Sequence, residues 1–571
     1  YILTPMPLTF SKEPRPVYYK ELDILGFDKY WKYDKNDCFP YMWAEANNYY
    51  YRGRLVAKTK GGSIYTAPEL VLIEDPEPKG VSLRFVDIPA MVEKNRPLME
   101  QLIQDTIKKT YNTYISYKNK VDLFYVAFSG GKDSVVALDI VQRALPHNEF
   151  KVIFGDTGME FPDTYDVIEK TQQKCKADNI DFLIARSEFS PKYTWNVIGP
   201  PAQKMRWCCS VHKTSPQILL LRELTNNPQF RGMAMMGVRA DESVTRSKYD
   251  ELNFGTKHKG QFDYYPILSW NSAELFLYIY DNNLLMNETY KSGNSRAGCL
   301  VCPMEAVKNT WFKEQSYKYG ESKEHTTTFF NDIILDKTIA SNLPPKNVEE
   351  FMEIGVWKSR HNGQKLAQVD NRYFDEVKEN KLIITISKIN VDWKIWIKTV
   401  GDIDFIDNQH FVLNYKGNNY YANIEESEDN YRFVFEIGAN TKDNIYLMSC
   451  LKTVFKKSAY CIGCHVCEAN CPNGFIKMNN GKVTISDSCI KCQQCHDVNC
   501  GCLVAASLML PKERSKMGSI DRYKNMGIKY DWVEKYFEKK DDFWNDNNLG
   551  SMMVTALKSF LSDAGITTKN K

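Results

Sequence analysis

Six consecutive residues, Ser129-Gly130-Gly131-Lys132-Asp133-Ser134, place two glycines, a cation, a carboxylate and two hydroxyls directly behind the strand-forming run that starts at Phe124. Two glycines after a strand let the backbone curl tightly and turn N–H groups towards an anion, and the helix expected to begin at Asp133 adds its positive N-terminal end. Ser129, Lys132 and Ser134 bring hydroxyls and a charge to the same point. Phosphate is the natural guest of such a loop, and the strand-loop-helix context points to the phosphates of a nucleotide.

The second chemistry-bearing residue type is cysteine, present sixteen times and clustered rather than scattered. Clustering in a large chain without a secretory leader pattern favours metal over disulfides. Cys461-x2-Cys464-x2-Cys467-x3-Cys471-Pro472 has the spacing of the bacterial ferredoxin run, whose fourth cysteine serves the other cluster. Cys489, Cys492 and Cys495 start a second run, but its regular fourth position is Asn499, leaving Cys500 and Cys502 to compete. Cys502 is preferred because the small residues Ala505 and Ala506 follow it. One 4Fe-4S cluster would then use Cys461, Cys464, Cys467 and Cys502, and a second Cys489, Cys492, Cys495 and Cys471; zinc is the alternative. Cys208, Cys209, Cys299 and Cys302 form another possible set of four thiolates, which suits zinc or iron-sulfur. Adjacent cysteines are awkward for tetrahedral zinc, whose sites prefer spaced pairs. Cys38 has no nearby partner and reads as a buried or neutral thiol; Cys175 and Cys450 also stand outside the groups.

The elements that must position these residues follow from pattern. At 571 residues the chain should form several domains. Residues 1–90 hold aromatic, strand-like segments around "YYYRGRLVAKTKGG" and read as β-rich. Residues 91–330 open with an amphipathic helix from Pro97 to Tyr117, then alternate short apolar runs ("FKVIFGDTG", "IDFLIA", "MAMMGVRA") with helical segments. That alternation predicts an α/β domain with a parallel sheet and flanking helices. Residues 331–450 read as a linker and small antiparallel β unit, with period-two patterns in "LIITISKINVDWKIWI", "FVLNYKGNNYYANI" and "YRFVFEIG" and a Gly-Asn-Asn turn between the middle strands. Residues 451–510 carry the cysteine runs as a dicluster ferredoxin-type domain, and 511–571 form a helical tail around "SMMVTALKSFLSDAG".

Composition bounds the partners. No apolar run approaches the ~20 residues of a membrane span, and the first residues lack the pattern of a secretory signal, so a cytoplasmic location without membrane contact is expected. A net charge of +3, from 74 basic and 71 acidic side chains, neither calls for nucleic acid nor excludes it. Locally, "PKERSKMGSIDRYKNMGIK" (511–529) and "LKTVFKK" (451–457) are basic and could contact a phosphate backbone, although a solvated face is the commoner meaning of such runs.

At this point the chain resembles a known family. "SGGKDS" is similar to the pyrophosphate loop of the N-type ATP pyrophosphatases, whose fold is of the adenine nucleotide alpha hydrolase type. "GDTGMEFPDTY", "WCCSVHKTSP", "MGVRADESVTR", "YPILSW" and "GCLVCP" resemble, in order, segments of the phosphoadenylyl-sulfate reductase branch of that superfamily, over about Asp122 to Met304. The resemblance implies that Asp156 and Gly158 lie beside the adenosine and that Arg239, Ser243 and Arg246 face the nucleotide or its phosphates. It also implies that Cys208, Cys209, Cys299 and Cys302 hold a 4Fe-4S cluster, the third of the chain.

Two departures shape the expected activity. True sulfonucleotide reductases replace the Lys-Asp-Ser end of the loop, whereas Lys132, Asp133 and Ser134 are all present, which points to ATP. Those reductases also use a late nucleophilic cysteine in a Glu-Cys-Gly-type motif, and none occurs here. The chain then looks closest to the DndC-type sulfurtransferases of DNA phosphorothioation. That resemblance implies attack of an acceptor oxygen on the α-phosphate of ATP, departure of pyrophosphate helped by Lys132, the loop amides and Mg²⁺, and delivery of sulfur from a donor such as a cysteine desulfurase. DNA and its modification proteins are the expected partners; the tail from Gly518 to Gly565 faintly resembles a small helical domain of phosphorothioation gene sets. The alternatives are thiolation of tRNA or a small molecule, a sulfonucleotide reductase with a built-in ferredoxin, and a non-catalytic redox-sensing scaffold. Two clusters fused to a nucleotide domain suggest an electron wire that reduces a persulfide during transfer.

Overall fold

The computed structural model describes residues 14–62, 67–199, 201–203, 205–255, 260–299, 302–304, 372–439, 441–507 and 530–544, with single positions between 554 and 566. The chain divides into two compact units, Tyr1–Leu510 and Pro511–Lys571.

The first unit begins with an antiparallel meander of β1 (Arg15–Val17), β2 (Met42–Glu45), β3 (Asn48–Tyr51), β4 (Arg54–Lys60) and β5 (Glu69–Leu72), with α1 (Tyr19–Leu25) after β1. Its core is aromatic: Phe27, Tyr41, Tyr49 and Tyr51 are buried together. Cys38 is exposed on this unit, not buried as expected.

α2 (Ile88–Tyr117) starts nine residues earlier than its apolar spacing indicated. Asp87 accepts the Ala90 N–H at 3.0 Å and caps the helix there, and Pro97 is accommodated inside it. It leads into the sheet that carries the Gly-Gly loop: β6 (Leu123–Phe128), β7 (Phe150–Asp156), β8 (Asp181–Arg186), β9 (Gly232–Met235), β10 (Leu252–Phe254) and β11 (Gln261–Tyr264). The order is β10-β11-β9-β6-β7-β8, parallel throughout except that edge strand β10 is antiparallel to β11. The expected parallel sheet is therefore mixed but mostly parallel.

Alternation along β6 explains why both faces are covered. Phe124, Val126 and Phe128 pack under α3 (Lys132–Ala144) and α4 (Pro162–Ala177), burying Val135, Leu138, Val167 and Ile168. Tyr125 and Ala127 point the other way, towards Ile218 and Leu221 of the helix Ser215–Thr225. Strand order reverses between β6 and β9, the switch point at which open α/β sheets leave a crevice for ligands.

A second sheet, β12 (Tyr373–Lys378), β13 (Lys381–Ile386), β14 (Asp402–Phe405), β15 (His410–Tyr415), β16 (Asn418–Glu426) and β17 (Tyr431–Glu436), is antiparallel in the order β12-β13-β17-β16-β15-β14. Two details correct the sequence reading. "LIITISKINVDWKIWI" is not one strand: β13 ends at Ile386, and Asp392 accepts the Lys394 N–H to cap a short helix, Trp393–Ile397, whose Trp393 and Trp396 are buried. The middle hairpin turns at Lys416 and Gly417, both left-handed, while Asn418 and Asn419 belong to β16. The helix Lys442–Tyr460 crosses the expected boundary at 450/451 and shares one core with this sheet and with Cys461, Cys467, Cys471, Cys495 and Cys502. A hairpin, β18 (Ile476–Asn479) with β19 (Lys482–Ile485), separates the two cysteine runs.

In the second unit, Tyr530–Lys539 is helical, and Trp532, Tyr536, Phe543, Leu557 and Leu561 form its apolar core. The basic run 511–529 and the expected boundary at 330/331 lie outside the described residues, as does much of "SMMVTALKSFLSDAG". No helix among the described residues is long and apolar enough to cross a membrane.

Candidate active site

The loop after β6 occupies the switch point. Gly130 takes a left-handed φ of 70°, and a Cβ there would stand 2.9 Å from Thr164 Cγ2. The Ser129 N–H donates to Ser134 Oγ at 3.2 Å, and Ser134 Oγ donates to the Gly131 carbonyl at 2.8 Å, so the hydroxyls brace the turn. Lys132, where α3 begins one residue before the expected start, is buried and donates through Nζ to Asp133 Oδ2 at 3.1 Å and to the Ser295 carbonyl at 3.2 Å, above the Tyr290 ring. Asp133 Oδ1 accepts from Arg239 Nε at 2.6 Å. Burial alone would raise the Asp133 pKa, but Lys132 and Arg239 outweigh it and hold the carboxyl far below its usual range.

The loop after β9 closes the other side of the crevice. A Cβ on Gly237 would lie 2.3 Å from the Asp133 backbone carbonyl, so only glycine lets this loop reach the start of α3. Gly237 was missed although it sits inside the quoted "MGVRADESVTR" segment. Arg239 is fully buried and also faces Asp241. Arg246 pairs with Glu242, and its N–H donates to Ser243 Oγ at 3.2 Å. Burial lowers the Arg246 pKa, with nearby Arg296 adding to the effect.

Asp156, at the end of β7, is buried and accepts from groups of the fold itself: Gly158 N–H at 2.8 Å, Tyr165 OH at 2.9 Å and Arg186 Nε at 2.8 Å. Gly158 is left-handed, with φ of 69°. The structure thus brings Ser129, Gly130, Gly131, Lys132, Asp133, Ser134 and Arg239 into one cluster, and sets Asp156 and Gly158 at the neighbouring strand end.

Beyond that strand end the first cysteine set gathers. Cys208 and Cys209 lie on the helical turn Trp207–Cys209, continued by a π-helical turn, Ser210–Thr214, into Ser215–Thr225. Cys299 Sγ is 3.6 Å from Glu160 Oε1 and 3.7 Å from Thr157 Oγ1. Cys299 and Cys302 both act on the Cys208 thiol electrostatically, and Lys213 faces Glu160 and then Cys299, Cys209 and Cys302. Cys209 is pulled down to about 6, mainly by a hydrogen bond from Cys208 and further by Arg206 and Lys213, while Cys208 is driven well up.

In the window 461–502, Cys502 stands with Cys461, Cys467 and Cys464, while Cys489 has Cys471 and Cys492 as neighbours and Cys495 adjoins both Cys489 and Cys471. Cys500 Sγ donates to Ser210 Oγ at 3.0 Å and has Cys209, Cys464 and Cys467 as neighbours. Burial pushes Cys464 and Cys495 up to about 12, so as bare thiols they stay protonated. A metal that displaces the proton changes that balance, and cysteines gathered in this way have the donor chemistry of soft-metal ligands. Among the described residues no three His, Cys, Asp or Glu side chains converge on a single-ion position.

Two further residues carried no sequence signal. Lys457, inside the basic run "LKTVFKK", is fully buried and donates to Cys467 Sγ at 3.1 Å, and its pKa is raised because Cys467, Cys495 and Cys502 outweigh burial. Lys452 pairs with Asp375, and Lys456 lies over the Tyr373 ring. Of the three lysines in this run, Lys457 is turned into its own domain, while Lys452 and Lys456 are half-buried. Arg222, on Ser215–Thr225, donates to the carbonyls of Glu468 at 2.9 Å, Ala469 at 3.0 Å and Cys471 at 2.8 Å. Together with the apolar packing of Cys464, Val466 and Val504 beside Trp207, Cys208 and Cys299, it docks the cysteine window on the nucleotide domain.

Residues 124–305 match the phosphoadenosine phosphosulfate reductase domain. An uncharacterised protein of Methanocaldococcus jannaschii is 31% identical over 242 residues, 42% of this chain and 55% of its own length, so the chain spans about half of that relative. An adenosine 5'-phosphosulfate reductase of Oceanobacillus iheyensis is 29% identical over 183 residues, 32% of this chain and 71% of that protein. A phosphoadenylyl-sulfate reductase structure from Candida auris, in complex with phosphate, aligns with 38% of this chain and 97% of its own at 19% identity and a TM-score of 0.27. Residues 124–305 are therefore similar to an enzyme domain, that of phosphoadenosine phosphosulfate reductase.

Proposed function

We propose that the chain is an ATP-dependent iron-sulfur sulfurtransferase that activates an acceptor oxygen, releases pyrophosphate and inserts sulfur, with DNA phosphorothioate modification as its setting. The observation that carries this reading is Asp133, kept ionised between Lys132 and Arg239 beside a loop shaped for phosphate. A carboxylate next to a polyphosphate is repulsive unless cations mediate, so the cluster suits a nucleotide that arrives with Mg²⁺. Lys132 would exchange its carboxylate partner for a phosphate oxygen, and the loop amides with the α3 N-terminus would stabilise the departing pyrophosphate. Arg239 would hold Asp133 in place, while Arg246 and Ser243 would face the nucleotide. Ser129 and Ser134 keep the loop in its curled form.

Cys208, Cys209, Cys299 and Cys302 would hold one 4Fe-4S cluster, Cys461, Cys464, Cys467 and Cys502 a second, and Cys471, Cys489, Cys492 and Cys495 a third. When bound, such clusters supply one-electron transfer. Lys213 and Lys457 offer positive charge to the sulfurs, and the Arg222 contacts keep the window against the nucleotide domain. A cysteine desulfurase is the proposed sulfur donor, and tRNA or a small molecule is the alternative acceptor.

A second reading, a sulfonucleotide reductase with its own ferredoxin, is favoured by the adenosine 5'-phosphosulfate reductase among the relatives. One experiment separates the two: anaerobically prepared protein, with a reduced viologen as electron donor, is offered ATP or adenylyl sulfate, with and without DNA. Pyrophosphate release from ATP supports the first reading; production of sulfite from adenylyl sulfate without ATP use overturns it.

A further inference from the structure

Lys457 is buried within the Lys442–Tyr460 helix, yet among the described residues no carboxylate stands at ion-pair distance from it. Its contacts are Cys467 Sγ at 3.1 Å, the Cys495 carbonyl, and the face of Trp396, whose ring centroid is 4.6 Å away. His496, next in the chain to Cys495, shares a hydrogen bond between its Nε2 and Thr399 Oγ1. An ammonium removed from water is costly unless a nearby anion compensates it. The group within hydrogen-bond reach that can carry that anionic charge is the Cys467 sulfur, as a metal-bound thiolate. The ammonium thus lies between the two cysteine sets of the window, but its bond to sulfur goes to the set of Cys461, Cys464, Cys467 and Cys502.

We propose that Lys457 is a fixed counter-charge that acts through Cys467 to raise the reduction potential of the Cys461/Cys464/Cys467/Cys502 set above that of the Cys471/Cys489/Cys492/Cys495 set. The inference rests on the iron-sulfur reading of these cysteines. A cluster held by four thiolates gains one negative charge on reduction, so a nearby fixed cation stabilises the reduced form more than the oxidised one. A hydrogen bond to a ligand sulfur acts in the same sense. The consequence is directional. Cys464 of the favoured set packs with Trp207, Cys208 and Cys299 of the nucleotide domain, whereas Cys492 of the other set is exposed. An electron taken up at the exposed set therefore comes to rest at the set that faces the nucleotide domain.

The test uses the full chain, loaded with iron and sulfide under anaerobic conditions and titrated with dithionite, which is oxidised to sulfite as each one-electron centre is reduced. Midpoints are read by electron paramagnetic resonance in the wild type, Lys457→Met and Lys457→Arg. Lys457→Met should keep the wild-type iron content and shift the higher of the two window midpoints to more negative potential, further than the lower one; Lys457→Arg should restore most of the gap. Unchanged midpoints, or equal shifts of both, at full iron content overturn the inference and leave the cluster reading intact. If Lys457→Met fails to load iron, Lys457→Arg decides: loading with the wild-type gap upholds the charge role, and failure of both variants shows a demand for lysine's shape and overturns it. Wild-type protein that takes up no iron overturns both this inference and the cluster reading.

Discussion

Lys132 and Lys457 are both buried lysines with an aromatic ring beneath the ammonium, yet their surroundings prepare them for different tasks. Lys132 sits 3.1 Å from a carboxylate oxygen and 3.2 Å from a carbonyl, beside the Gly-Gly loop, where under the proposed function a phosphate oxygen would replace one of these partners. Lys457 sits 3.1 Å from a cysteine sulfur inside a closed core, where nothing can be exchanged. Under the proposed function, the first arrangement would hold a charge for a visiting anion, and the second would spend its charge permanently on a resident group. The contrast teaches that burial of a lysine is not informative by itself; the lability of its partner is.

The largest effect that could break this contrast is at the loop. Lys132→Ala should lower pyrophosphate release from ATP by about 100- to 1000-fold, the usual cost of losing one preorganised donor, measured with labelled ATP. A variant that retained most of that release would remove the argument for a visiting phosphate. In the window, Cys502→Ala should lose about a third of an iron content of about twelve atoms, whereas Cys500→Ser should lose none, because Cys500 faces Ser210 and Cys502 faces Cys461. Equal loss from both would dissolve the proposed sets.

Arg222→Ala should destabilise the protein by about 2–4 kcal/mol, since three buried carbonyls lose their donors, as read from urea unfolding. No loss of stability would mean that the window does not depend on the nucleotide domain for its hold. A pH series sharpens the boundary between the two regions. His212 is buried under Trp207, bonded to Thr194, and burial lowers its pKa to about 4 from 6.5. Its folded pKa is depressed, so the unfolded chain takes up the proton first. Stability is full above about pH 6.5 and falls as pH drops towards 4, by about 2–3 kcal/mol at 1.36 kcal/mol per unit. His212→Gln should flatten that part of the curve; an unchanged slope would assign it elsewhere. The smallest effect is the stability change of Cys500→Ser, within about 0.5 kcal/mol.

Much of the nucleotide domain was legible because its signals are local. A strand ending in Gly-Gly and followed by a helix requires only short-range sterics, and the alternation of Phe124, Val126 and Phe128 with Tyr125 and Ala127 records two covered faces. The antiparallel unit was legible as strands but not in its interruption, since "VDWKIWI" has strand-like composition and only the Asp392 cap with burial of Trp393 and Trp396 turns it into a helix.

By itself, the sequence determined the residues that can do chemistry and their local geometry: the Gly-Gly loop and the regular cysteine spacings. Only the tertiary structure decided which charges face which partners. Lys457 reads as one of three solvated lysines until the sheet and the cysteine window close over it, and Arg222 reads as a helix-surface cation until three carbonyls from about 250 residues away meet it. The physical reason is that a charge is indifferent to its neighbours in sequence. Its energy is set by what remains around it once water has been removed.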